Sequence, residues 1–125
     1  MDSNAGTLTR MYDCFNARDI DGVLSHLTDD VVWANGMDGG HVHGREAVRA
    51  YWSRQWAVVR ASVKPVHFET ADDGAIIVTV GQSVRDLDGR PLTEQAHGLH
   101  DRTLRHVFHS AAGKVLRFDI AEEAA

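Results

Sequence analysis

From Thr7 to Ala17 the large apolar residues Leu8, Met11, Tyr12 and Phe15 recur at helical spacing and fall on one stripe, so this segment predicts a helix buried along one side. Asp19 sits where a side-chain oxygen can cap the first turn of a second helix, whose stripe is Ile20, Val23, Leu24 and Leu27 and which Asp29-Asp30 ends. Val31 to Asn35 is β-branched and aromatic and predicts a short strand, followed by the glycine-rich stretch GMDGGHVHG as an irregular loop. Ala47, Val48, Tyr51, Trp52 and Trp56 then define a third helix, with Arg45, Arg49, Arg54 and Arg60 set on its surface.

Beyond this point the period drops from helical to two. Val66 and Phe68 alternate up to Asp73-Gly74. Ile76, Val78, Val80, Gln82 and Val84 alternate up to Asp88-Gly89. A long segment from Leu92 to His109 runs to Ser110-Ala-Ala-Gly113, and Leu116, Phe118 and Ile120 follow. Four strands joined by tight turns predict an antiparallel meander. With helices first and strands later, the fold class is α+β, one curved sheet laid against a helical layer.

The order resembles that of the nuclear transport factor 2-like superfamily, shared by ketosteroid isomerase and the SnoaL-like cyclases. FNARDIDGVLSHLTDDVVW is similar to the family's opening, GREAVRAYW to the start of its third helix and RHVFHSAAGKVLRFDI to its closing hairpin. The resemblance spans nearly the whole chain and implies a cone-shaped, curved antiparallel sheet wrapped around three N-terminal helices, as a single domain over residues 1–125. It also implies a hydrophobic pocket between sheet and helices and a homodimer through the outer face of the sheet.

These are folding signatures, and one fold hosts many functions. The catalytic sets of the relatives do not carry over. Matched to ketosteroid isomerase, Met11 stands in place of the oxyanion-donating tyrosine, Asn35 in place of the proton-abstracting aspartate and Arg105 in place of the protonated aspartate. An amide does not take a proton at neutral pH, which disfavours that mechanism. Limonene-type epoxide hydrolases need an Arg and two Asp, where this chain has Gly81-Gln82-Ser83 and Ile120. The histidine of scytalone dehydratase-like members corresponds only loosely to His100, and their Tyr-Asp pair becomes Phe15-Asn16.

Composition narrows the remaining chemistry. The chain has 125 residues, 43% hydrophobic and 25% charged, which suits one compact domain. Thirteen Lys+Arg against 18 Asp+Glu leave a net charge of −5, which argues against nucleic acid as a partner. No apolar run approaches the roughly 20 residues that cross a bilayer. A single cysteine, Cys14, and an opening segment without a basic start or apolar core lead to the expectation of a reduced, cytoplasmic protein, with the thiol packed and inert.

Eight histidines are many for this length, and His97, His100, His106 and His109 share one expected strand. Imidazole exchanges protons near neutral pH, so these are the leading acid/base candidates. Which of them face inward depends on the strand's phase. An unbulged turn at Asp88-Gly89 pairs Gln82 with Gln95 and Val80 with His97, and turns His97, Asp101 and Arg105 inward. One extra residue near Gly98 turns His100, Arg102, Leu104, His106 and Phe108 inward instead. Burial of Leu104 and Phe108 supports the second phase, while a simple final hairpin pairing Arg105 with Phe118 supports the first.

The expectation is therefore a small-molecule pocket enzyme of isomerase, cyclase or dehydratase type, acting on a hydrophobic, carbonyl-bearing substrate. His106 is the proton carrier, or His97 in the other phase. Asn35 and Gln82 orient the substrate oxygen, and Tyr12, Trp33, Trp52 and Phe118 enclose it. The alternative is a non-catalytic ligand-binding or dimerisation domain. No cofactor or metal is implied, because His41-Val42-His43 lacks a third ligand at fixed spacing.

Overall fold

The computed structural model describes residues 3–35, 39–90, 102–111 and 113–122. Along the chain run α1 (Ser3–Asn16), α2 (Ile20–Leu24), β1 (Leu27–Ala34), β2 (His41–His43), α3 (Arg45–Trp56), β3 (Arg60–Thr70), β4 (Ile76–Arg85), β5 (Arg102–Ala111) and β6 (Lys114–Glu122). The strands form one curved, open sheet in the order β2-β1-β6-β5-β4-β3. Its inner face packs on the helices, giving the α+β cone expected from the order of elements.

The helical stripes become the core. Leu8, Met11 and Tyr12 of α1 and Val48, Tyr51 and Trp52 of α3 are buried, together with inward residues of every long strand. Asp19 caps α2 as its position suggests, its carboxylate accepting the Gly22 N–H at 3.0 Å. A Cβ at Gly22 would crowd the Asp19 carboxylate and the Cys14 sulfur, so a larger residue there would displace the cap. Cys14 itself is half-buried, and burial, reinforced by Asp19, pushes its thiol up, away from the thiolate.

Sequence pattern and structure part where pairing is non-local. α2 stops at Leu24, and Leu27, Asp29 and Asp30 belong to β1 instead of a helix end. The cause is β6, which runs parallel to β1 with Leu27 opposite Val115 and Trp33 opposite Phe118, making the sheet mixed. His41-Val42-His43 is a strand and not loop, since it pairs antiparallel with Val32 to Ala34. Arg60 opens β3, which starts ahead of the expected Val66-Phe68 alternation.

From β3 to β6 the predicted antiparallel meander is present. The β4–β5 register differs from a tight hairpin: Gln82 pairs with Arg102 in place of Gln95, an offset of seven residues (102 against 95). An odd offset exchanges faces as a one-residue slip does, so Leu104, His106 and Phe108 point inward. The expected bulge near Gly98, together with His97, His100 and Asp101, lies outside the described residues. In the final hairpin a bulge at Leu116 sets Phe108, not Arg105, opposite Phe118. Arg105 instead faces Ala121, and two large rings meet on the inner side.

Candidate active site

Helix α1 and strand β5, remote in sequence, meet at one polar contact inside an apolar chamber. The Tyr12 hydroxyl and His106 Nδ1 are hydrogen-bonded at 2.8 Å, and the two rings stack with planes 16° apart. Tyr12 arrives on the buried stripe of α1, one position after Met11. Both line the same cavity. His106 arrives between Val78 of β4 and Ile120 of β6, its register partners, so its ring is flanked by aliphatic groups on both sides.

That setting decides the charge state of the pair. Burial pulls the His106 imidazole down from 6.5 to about 3, and it pushes the Tyr12 phenol above its ordinary range. Both groups are neutral at pH 7. A neutral imidazole has one donor and one acceptor nitrogen. With Nδ1 engaged by Tyr12, Nε2 has no hydrogen-bond partner among the described residues, although the ring borders the cavity.

Aromatic groups make the walls. Trp33 stacks on Phe118 with centroids 4.2 Å apart and meets Trp52 edge-on at 5.1 Å, while Phe118 meets His106 edge-on at 4.8 Å. The cavity measures about 70 Å³. A single water occupies about 10–15 Å³ on this measure, so there is room for a few waters or a small molecule, not for an extended polycycle without ring movement.

Of the residues singled out from sequence, Tyr12, Trp33, Trp52, Gln82, His106 and Phe118 are brought together around this cavity. Asn35 is not among them. It lies just past β1, where its N–H donates to the Gly40 carbonyl and its own carbonyl accepts from Gly39, closing the loop before β2. His97 lies outside the described residues. Trp56 stays out of the cavity, stacked on Trp52 beneath the Arg18 guanidinium. His41 hydrogen-bonds Asp119 across the sheet at 2.7 Å, and Arg117 holds the same carboxylate.

One cavity residue escaped the sequence reading. Gln55 of α3 is only 4% exposed, lines the cavity, and its side chain has no hydrogen-bond partner among the described residues. The signal was present: Val48, Tyr51, Trp52 and Gln55 lie at i, i+3, i+4 and i+7, so an amide occupies an apolar stripe. Asn16, by contrast, has a structural duty. Its amide donates to the Val63 carbonyl and accepts the Val63 N–H, both at 2.8 Å, tying the end of α1 to the edge strand β3.

A cone of sheet and helices enclosing a polar pair in an aromatic chamber defines a pocket protein of the nuclear transport factor 2-like class. Within that class the chain belongs to the SnoaL-like domain family, whose pattern matches residues 8–118. No curated protein matches it in sequence. Among solved structures it is similar to an NTF2-like protein of unknown function from Burkholderia pseudomallei, with 26% identity, a TM-score of 0.76 and coverage of 98% of this chain and 92% of the other. TerC, co-crystallised with polyporic acid, has 22% identity and a TM-score of 0.77 over the same shares. A putative polyketide cyclase from Sinorhizobium meliloti has 17% identity and a TM-score of 0.74, over 92% of this chain and 93% of the other.

Proposed function

We propose that this protein is a cytoplasmic enzyme of isomerase, cyclase or dehydratase type that moves a proton on a small, hydrophobic, carbonyl-bearing molecule. The observation that carries the reading is the buried Tyr12–His106 hydrogen bond on the wall of an otherwise apolar cavity. TerC, a protein of the same fold, was crystallised with polyporic acid, which supports an organic ligand for the chamber.

The chemistry follows from the charge state. His106 is neutral and able to accept a proton through Nε2. Making its cation in the apolar chamber costs about 5 kcal/mol more than in water, given the fall from 6.5 to about 3. Proton removal is therefore favourable only when a negative charge forms beside it, as on a carbonyl oxygen becoming an enolate. With Nδ1–H donating to the Tyr12 oxygen, the phenol O–H is released to donate to that carbonyl oxygen. The imidazolium and the enolate then form and discharge together. Gln55 and Gln82 are the amides that orient the substrate, and Trp33, Trp52 and Phe118 exclude water. No cofactor is required for such a step.

A second reading, a non-catalytic ligand-binding or dimerisation domain, has one observation in its favour: the aromatic walls leave only about 70 Å³. Native mass spectrometry of the purified chain for a retained ligand separates the two and reports whether it is a homodimer, the assembly we propose through the outer sheet face. With a substrate in hand, His106→Ala and Tyr12→Phe are expected to lower turnover by about 10²–10⁴-fold. His97→Ala tests the alternative carrier in the same assay, and a loss there with none at His106 would move the proton carrier to His97. Undiminished rates in both site variants would remove the catalytic reading.

A further inference from the structure

The wall of the chamber carries more hydrogen-bonding capacity than the Tyr12–His106 pair uses. Tyr51, Gln55 and Gln82 line it as well. Tyr51 and Gln82 each have an interaction of their own. The Gln55 side chain has no partner among the described residues, although the residue is only 4% exposed. A buried amide without a partner costs folding energy that an apolar side chain of the same shape would not. Packing accounts for Val48 and Trp52 on the same helical stripe, both buried, but it does not account for an amide.

Gln55 and His106 belong to opposite ends of the chamber. The Gln55 backbone carbonyl accepts the N–H groups of Val58 and Val59, at 3.1 and 3.0 Å, where α3 turns into β3. β3 then carries Ala61 and Val63 along the cavity wall, with Val63 opposite Gln82. His106 is opposite Val78, four residues from Gln82 along β4, a separation of ~13 Å at about 3.3 Å per residue. Between the two ends runs an unbroken series of rings. Trp52, one turn before Gln55, meets Trp33, which stacks on Phe118, which meets His106. Among the described residues no Asp, Glu, Lys or Arg lines the cavity. An ion placed there would lose its hydration with no counter-charge in return.

We infer that Gln55 is a specificity-determining residue of the chamber, selecting small uncharged molecules that carry a second oxygen function at the end opposite the carbonyl that meets Tyr12 and His106. An amide both donates and accepts, so it pairs with a hydroxyl or with a carbonyl. The aromatic run in between suits a flat ring joining the two oxygens. A ligand with one oxygen leaves the buried amide unpaired, and a ligand with two removes that cost, so discrimination comes from the far end of the site. The inference rests on the chamber being the ligand site and names the class of ligand. It does not require proton transfer there.

The test is equilibrium titration of the full chain at pH 7 with 4-hydroxyacetophenone, acetophenone and 4-hydroxybenzoate, read by calorimetry and by the fluorescence of Trp33 and Trp52, which line the cavity. 4-Hydroxyacetophenone is expected to bind about tenfold or more tightly than acetophenone, and the anion 4-hydroxybenzoate more weakly than either. Gln55→Met, similar in shape, should erase the preference by weakening the hydroxylated probe alone. The unliganded variant should melt no lower than the parent, because it loses an unpaired amide and no bond. Equal affinities for the two ketones overturn the role of Gln55 while leaving the chamber a ligand site. Equal weakening of both in Gln55→Met, or a clear fall in its melting temperature, makes the amide structural and overturns it too. Tight binding of 4-hydroxybenzoate, or no saturation by any of the three probes, overturns the ligand class. Because nothing here measures turnover, undiminished rates in His106→Ala and Tyr12→Phe would end the catalytic reading without touching this one.

Discussion

The two faces of the β3–β4–β5 wall are made from alternating residues of the same strands, yet they treat charge in opposite ways. Inward, Val63, Val78, Val80, Leu104 and Phe108 leave His106 so poorly solvated that its cation is suppressed. Outward, one residue away along each strand, Arg60 and Ser62 are exposed, and Ser83, Arg85 and Arg105 are half-buried. The difference teaches that the polar groups on the two sides do different work. The hydroxyl–imidazole pair inside is hydrogen-bonded and held neutral by burial. Guanidinium groups outside are placed where solvent reaches them.

Substitution at neighbouring positions of β5 tests the contrast most directly. Leu104→Ala, at a site 1% exposed, is expected to cost about 2–5 kcal/mol, and exposed Thr103→Ala no more than about 0.5 kcal/mol, both read by urea unfolding. Equal costs would show that the faces are not distinct.

Acid titration probes the interior next. His106 has a folded pKa depressed to about 3 against 6.5 unfolded, so below pH 6.5 the unfolded chain takes up a proton that the native chain refuses. Stability from this group is complete above pH 6.5 and falls as pH drops toward 3. Between pH 7.5 and 4.5 the loss should be about 3 kcal/mol, and His106→Phe should remove that component of the slope. An unchanged slope in the variant would mean the imidazole is hydrated in the native state.

At the edge where the two faces meet, Asn16→Ala removes both bonds to Val63 and strands a backbone N–H and C=O. A loss of about 1–3 kcal/mol is expected, with faster amide exchange at Val63. The smallest effect belongs to the outer face: Arg60→Ala should change stability by no more than about 0.5 kcal/mol, because the side chain is exposed and has no ion pair among the described residues. A large loss there would reveal a structural role for Arg60.

Much of this architecture was legible before any coordinates. The stripes of α1 and α3, the Asp19 cap, the Asp73-Gly74 and Asp88-Gly89 turns and the four-strand meander all follow from local spacing and turn chemistry. So did the cavity-lining positions of Tyr12, Trp33, Trp52 and Phe118, because aromatic residues on buried stripes have few other places to go, and that of Gln82, from its place in the β4 alternation. Gln55 was missed although its position in a stripe marks it. Asn35 looked inward by alternation, but its backbone is taken by the loop to Gly40.

The amino-acid pattern alone determined which residues share a face and which segments are helix or strand, because those periods arise from backbone geometry within a few residues. Only the tertiary structure decided which face of β5 is inside, that β1 lies parallel to β6, and that Tyr12 meets His106. Each depends on register between segments far apart in the chain. A period of two is unchanged when a strand slides by an odd number of residues, while every side chain on it changes sides.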